Sequence, residues 1–98
     1  MTLANETVAE ERLFSDVLAE VIATIGETLG IEDRATQFAA ETLLLENLPE
    51  LDSMAIVELV LALEERFGIE IDDAQITGEL FESVGSLAEF VDSQLNVG

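Results

Sequence analysis

The sequence predicts an all-α fold: a small four-helix bundle with three main helices, one short helix, and a long loop between the first and second. Three observations carry that expectation. Apolar residues recur at spacings of three and four in separate stretches, each bounded by a capping signal or a glycine stop. No stretch alternates apolar and polar residues as a half-buried strand would. The 98 residues are 49% hydrophobic, which suits one globular domain over 1–98 rather than a disordered chain.

In the first stretch Leu13, Phe14, Val17, Leu18, Val21, Ile22, Ile25 and Leu29 form one apolar face of a long amphipathic helix from about Thr7 to Leu29. Thr7 with Glu10 fits a capping box and Gly30 fits the stop, which leaves residues 1–6 as a flexible N-terminus. In the connection that follows, Asp33 is a candidate cap for a short helix through Ala39, and Leu43, Leu44 and Leu45 are placed to tuck against the bundle. Pro49 interrupts any helix there, because it lacks an N–H and disfavours helical geometry just before it. A connection this long in so small a domain either packs on its own leucines or carries function.

The clearest element runs from Ser53 to Phe67 and stops at Gly68. Ile69 and Ile71, separated by Glu70, then make a short extended stretch that drops two apolar side chains onto the core. Thr77 is expected to open a short helix through Ser83. Gly85 breaks the chain, and Ser86-Leu87-Ala88-Glu89 reads as the capping box of a last helix through about Leu95, with Leu87, Phe90, Val91 and Leu95 on its apolar face.

Charge and composition exclude whole classes of function. The 22 Asp and Glu residues face three Arg, with no Lys and no His, for a net charge of −19. That sign opposes phosphate backbones and anionic membrane surfaces, so nucleic acid is not a partner, and a basic protein surface is the natural one. Without His, Cys, Lys or Tyr there is no serine–histidine pair, thiol nucleophile, Schiff-base lysine or ordinary zinc site, and no catalytic constellation assembles from carboxylates and hydroxyls alone. The chain does not read as an enzyme. Its longest purely apolar run, Leu59 to Leu63, is far short of the roughly 20 residues a membrane span needs. Residues 1–6 lack the basic and apolar character of a signal peptide, so the cytoplasm is the expected location. Asp73, Gln75, Thr77 and Gly78 fall at calcium-loop spacing, but Val84 stands where the bidentate Glu must be, and no metal site is expected.

Two features of the Ser53 helix invite a functional reading. Asp52-Ser53 lies at the junction of the Pro49 loop and the helix. Either residue serves there as a simple N-cap, or Ser53 carries a phosphodiester, for which the free N–H groups and positive end of a helix are suited. On a wheel of about 100° per residue, Ile56, Leu59, Val60, Leu63 and Phe67 form a core face, while Met54, Val57 and Leu61 fall in a separate sector. Glu64 borders that sector on one side, Glu58 and Glu65 on the other. It is either part of a wide core face, or an exposed apolar strip rimmed with carboxylates that suits docking to a partner with basic rims and apolar sockets.

The run Leu51-Asp52-Ser53-Met54, continued by Ala55-Ile56-Val57-Glu58-Leu59-Val60-Leu61-Ala62-Leu63-Glu64-Glu65-Arg66-Phe67-Gly68-Ile69-Glu70-Ile71, resembles the acyl carrier protein family. The resemblance continues through Ile76-Thr77 and Phe81-Glu82-Ser83-Val84 into Ser86-Leu87. It is detailed over about residues 48–95, while the first helix matches in placement and amphipathicity. The resemblance implies a bundle of the acyl-carrier type in which Ser53, beside its motif neighbour Asp52, receives 4′-phosphopantetheine from coenzyme A through a separate phosphopantetheinyl transferase. It implies that the arm's thiol holds acyl groups as thioesters, in pathways such as fatty-acid or polyketide biosynthesis. It also implies that Glu58, Glu64 and Glu65 are acidic recognition positions and Met54, Val57 and Leu61 apolar docking positions, used by a monomer toward acyl-loading and acyl-using enzymes with basic surfaces.

The sequence departs from the family in having Pro49-Glu50-Leu51 where a Gly usually precedes Asp-Ser, and Met54 where Leu usually follows. Met has similar volume and more flexibility, so loading is expected to survive. The Pro49 loop and long first arm point to a specialised free-standing bacterial carrier. An aminoacyl or peptidyl carrier, and an acidic interaction module that is never modified, are the alternatives.

Overall fold

A computed structural model describes residues 13–96. Among them lie five α-helices and no strand: α1 (Phe14–Leu29), α2 (Glu32–Ala35), α3 (Leu44–Asn47), α4 (Ser53–Phe67) and α5 (Val84–Leu95), with a 3-10 turn at Asp73–Gln75. The all-α bundle is as expected. The expected Thr7 start of the first helix, the expected Thr7–Glu10 capping box and the expectation for residues 1–6 all lie outside the described residues.

Helix α1 packs against α2, α4 and α5. Val17, Val21 and Ile25 are fully buried along one stripe and meet Leu59 and Leu63 of α4 and Leu87 and Val91 of α5 in a single core. The stripe begins one turn later than the periodicity suggests, because Leu13 and Phe14 remain exposed. Both α1 and α4 end on a glycine in the left-handed region, Gly30 at φ 69° and Gly68 at φ 67°, a geometry that closes a helix without a Cβ penalty.

The segments between the main helices differ from expectation in three places. Helix α2 is one turn, entered from Ile31 rather than capped by Asp33, and it ends at Ala35 instead of Ala39. Of the three leucines, only Leu44 reaches the core, while Leu43 and Leu45 are exposed. Successive residues at a helix start point about 100° apart, so one of three adjacent side chains faces inward. Residues 77–83 form turns rather than a helix: Thr77 Oγ1 accepts the N–H of Leu80, and Ser83 is extended at φ −142°, ψ 166°.

The last helix starts earlier than the glycine suggests. Ser83 is its N-cap and Gly85 sits inside the first turn. Ser83 Oγ accepts the Ser86 N–H and Ser86 Oγ accepts the Ser83 N–H, both at 3.0 Å, so Ser86 closes a capping box rather than opening one. The reason is tertiary. Residues 40–44 run beside 82–85, where Leu44 N–H donates to Glu82 O at 2.9 Å, Val84 N–H to Thr42 O at 2.9 Å and Gly85 N–H to Ala40 O at 2.7 Å. The orphan donors of the α5 first turn are thus met by loop carbonyls, and the glycine admits the close approach. A Cβ at position 85 would lie 2.8 Å from Ala40 O.

Candidate functional site

The segment entering α4 is held at both faces. Leu48 and Leu51 are buried beneath it, and between them the chain turns through Pro49, with Leu51 N–H donating to Leu48 O at 3.0 Å and Asp52 N–H to Glu50 O at 2.9 Å. On the outer side Arg34 of α2 reaches across. Its Nη1 donates to Glu50 Oε2 at 2.6 Å and its Nη2 to the Asn47 carbonyl at 3.1 Å. Hydrogen bonding from Glu50's own backbone amide and then the Arg34 guanidinium hold the Glu50 carboxyl below the usual value for a glutamate.

At the end of this segment the N-cap falls on Asp52 and not on Ser53. Asp52 is the cap: its backbone is extended and its Oδ1 accepts the Ala55 N–H at 2.9 Å. Ser53, relieved of that role, is the first helical residue and is exposed. Its hydroxyl makes no hydrogen bond among the described residues, and neither do the backbone N–H groups of Ser53 and Met54. A free hydroxyl beside two free amides at the positive end of a 15-residue helix is an arrangement that fits a phosphodiester anion. The serines of α5 differ. Ser83 and Ser86 bond each other's backbone, and Ser93 Oγ donates to Phe90 O at 2.7 Å.

Along α4 the wheel's two sectors are distinct. Ala55, Leu59, Val60, Leu63 and Phe67 are buried, and Ile56 is half-buried against them. Met54 is 72% exposed and Val57 and Leu61 each 56%, so the second sector is a surface strip and not a wide core face. Glu58 and Glu65 stand exposed beside it. Glu64 is half-buried, and its Oε2 accepts the Ile71 N–H at 2.8 Å. That bond and the Arg34 clamp escaped the sequence reading. For Arg34 the available signal was scarcity, since one of three cations in the chain stands in the long connection. No group of three or more acidic, histidine or cysteine side chains converges as metal ligands would among the described residues, and none of their helices is long and apolar enough to cross a membrane.

A bundle that presents an unbonded serine at the head of an acid-rimmed helix is a carrier-type scaffold. Comparison with known proteins agrees. Residues 19–91 match the family model for the phosphopantetheine attachment site. Acyl carrier proteins of Thermotoga maritima and Helicobacter acinonychis are 30% and 38% identical over 80 residues, covering 82% of this chain and 93% and 91% of theirs. The solution structure of a holo acyl carrier protein from Nitrosomonas europaea superposes with a TM-score of 0.78 at 42% identity, covering 82% of this chain and 96% of that one. The chain belongs to the phosphopantetheine-bearing acyl carrier protein family.

Proposed function

We propose that this chain is an acyl carrier, one domain over residues 1–98, in which Ser53 is the residue that bears 4′-phosphopantetheine. The observation that carries the reading is the division of labour at the head of α4: Asp52 caps the helix, and the Ser53 hydroxyl is left exposed and unbonded. When bound, the arm supplies a terminal thiol able to hold an acyl group as a thioester, chemistry that a chain without cysteine does not possess. The protein's own residues do the rest. Ser53 Oγ offers the attachment oxygen, and the N–H groups of Ser53 and Met54, with the helix dipole behind them, favour the charged linkage.

Acyl transfer itself belongs to partner enzymes in this reading, so the chain is a carrier without a catalytic site. The partners are a phosphopantetheinyl transferase and the acyl-loading and acyl-using enzymes. Met54, Val57 and Leu61 offer them an apolar strip that fits sockets, while Glu58, Glu64 and Glu65 draw basic rims toward it. Dependence on coenzyme A favours the cytoplasm as its place of work, and a small domain whose net charge of −19 repels its own copies suits a monomer. The names of the relatives favour an acyl over an aminoacyl cargo.

The test is to incubate the chain with coenzyme A and a broad-specificity phosphopantetheinyl transferase, then read the intact mass. The unaltered protein is expected to gain one arm and Ser53→Ala none, with the variant's fold intact because the cap resides on Asp52. Full modification of Ser53→Ala would overturn the assignment.

A further inference from the structure

We infer that Arg34 is a positioning residue for arm attachment, because its forked guanidinium grips Glu50 and Asn47 on either side of Leu48-Pro49 and so holds the segment that delivers Ser53 to the head of α4. The inference rests on the reading of Ser53 as the attachment point. Nη1 and Nη2 of Arg34 go to two different groups, a carboxylate at 2.6 Å and a backbone carbonyl at 3.1 Å, so the contact fixes both the position and the rotation of the turn between them. Leu48 and Leu51 anchor the same turn from the core side. Pro49 and Glu50, which lie between those anchors, are exposed, and the Arg34 grip is what holds them from the solvent side.

From Glu50 the geometry passes directly to the site. The Glu50 carbonyl accepts the Asp52 N–H at 2.9 Å, and the Asp52 side chain caps Ala55 at 2.9 Å, with Ser53 between the two bonds. A shift of Glu50 therefore moves the residue that sets the first turn of α4. The one-turn helix α2 acquires a purpose on this view, as the platform from which the clamp reaches over. The side chains of Arg34 and Glu50 are 48% and 37% exposed, so the pair adds little to global stability and its effect on the site is separable from folding. The other described arginine, Arg66, makes a single contact at 3.1 Å to Glu27 on a different part of the surface.

The test compares the unaltered chain with Arg34→Gln, Glu50→Gln and the double variant, each without the arm at the start. Four quantities are measured: amide hydrogen exchange at Leu51 and Asp52, kcat and KM for transferase-catalysed loading from coenzyme A, and the thermal midpoint. Each single variant is expected to speed exchange at both amides and to lower kcat about threefold to fivefold, the scale of one exposed charge-assisted contact. KM for the carrier should stay unchanged and the midpoint should move by less than about 3 °C. The double variant should lose no more than either single one, because both break the same clamp. Unchanged exchange, unchanged kcat, a loss carried wholly by KM, or additive losses would each overturn the inference, the third by showing that Arg34 touches the transferase and the last by showing that Arg34 and Glu50 act separately. Peptide mapping that placed the arm of the unaltered chain on another serine would overturn the attachment reading instead. The exchange measurement does not involve the arm and would still judge the clamp.

Discussion

The Glu64 carboxylate accepts the backbone N–H of Ile71 at 2.8 Å, seven residues further along the chain. The carbonyl of the same residue takes the N–H groups of Gly68 and Ile69, at 2.8 and 3.2 Å. Glu64 thus ties down the exit from α4 and keeps Ile71 seated in the core, while its charge also lies along the acidic border of the exposed Met54-Val57-Leu61 strip. A residue of that border is a structural tether as well.

Glu64→Ala is therefore expected to cost about 1–2 kcal/mol, since it strands the partly buried Ile71 N–H. Glu65→Ala, one residue on and exposed, should stay within about 0.5 kcal/mol of the unaltered chain. Urea denaturation of the two variants measures the contrast, and equal effects would show that the tether is not a stabilising bond.

Leu61 and Leu63 lie two residues apart on α4 and should fail in different ways. Leu63 is fully buried, so Leu63→Ala should cost about 2–5 kcal/mol of stability. Leu61→Ala should leave stability within about 0.5 kcal/mol and instead speed dissociation from the transferase. Converting Glu58 and Glu65 to Lys together should slow association and flatten its salt dependence, because rim charges act mainly on encounter. Surface-immobilised transferase and the carrier variants in flow give both rates.

Gly85 tests the seam between the connection and α5. Alanine normally favours a helix interior by about 1 kcal/mol over glycine. Here the added Cβ would stand 2.8 Å from Ala40 O and 3.3 Å from Ala40 Cβ, so Gly85→Ala should destabilise by about 1–3 kcal/mol. Gly78, with open space at its Cβ position and no positive φ, should accept alanine with a gain of up to about 1 kcal/mol. Thermal melts of the two variants should move in opposite directions.

Charge sets the response to salt and pH. A net charge of −19 repels itself at neutral pH and low ionic strength, so moderate salt should raise the melting temperature by screening it. The clamp carboxylate has its own signature. Because the folded protein holds Glu50 below its ordinary value, its stabilising contribution is present above that ordinary value and lost as pH falls through the lowered one. Arg34→Gln should shift the Glu50 titration upward, followed by the carbon chemical shift of its side-chain carboxyl group. An unmoved titration would show that the guanidinium does not reach the carboxylate in solution.

Much of α4 was legible in the sequence. Its bounds at Ser53 and Phe67, the stop at Gly68 and the division between a Leu59–Leu63 face and a Met54–Leu61 sector all follow from a 3.6-residue period and local capping chemistry. That the second sector is surface and not a second core face was not legible. A wheel orders side chains by angle but does not say which neighbours cover them. The glycine break at 85 failed for a related reason: the Val84 and Gly85 N–H groups bond to Thr42 and Ala40, some forty positions away, while the stretch at 77–83 closes into local turns and its Glu82 carbonyl is taken by Leu44.

The sequence by itself determined the helical periods, the glycine stops of α1 and α4, the excess of carboxylates and the Asp52-Ser53 junction, because each depends on residues within one or two turns of one another. Only the tertiary structure decided that Asp52 and not Ser53 is the cap, that Glu64 tethers Ile71, and that Arg34 closes over Asn47 and Glu50. The cap is a local bond, but either residue of the junction can fill that role and only the backbone path chooses between them. The Arg34 and Glu64 contacts form where the folded chain brings separate segments together, set by the packing of α1, α4 and α5 around Val21, Leu59 and Leu87, which no local pattern encodes.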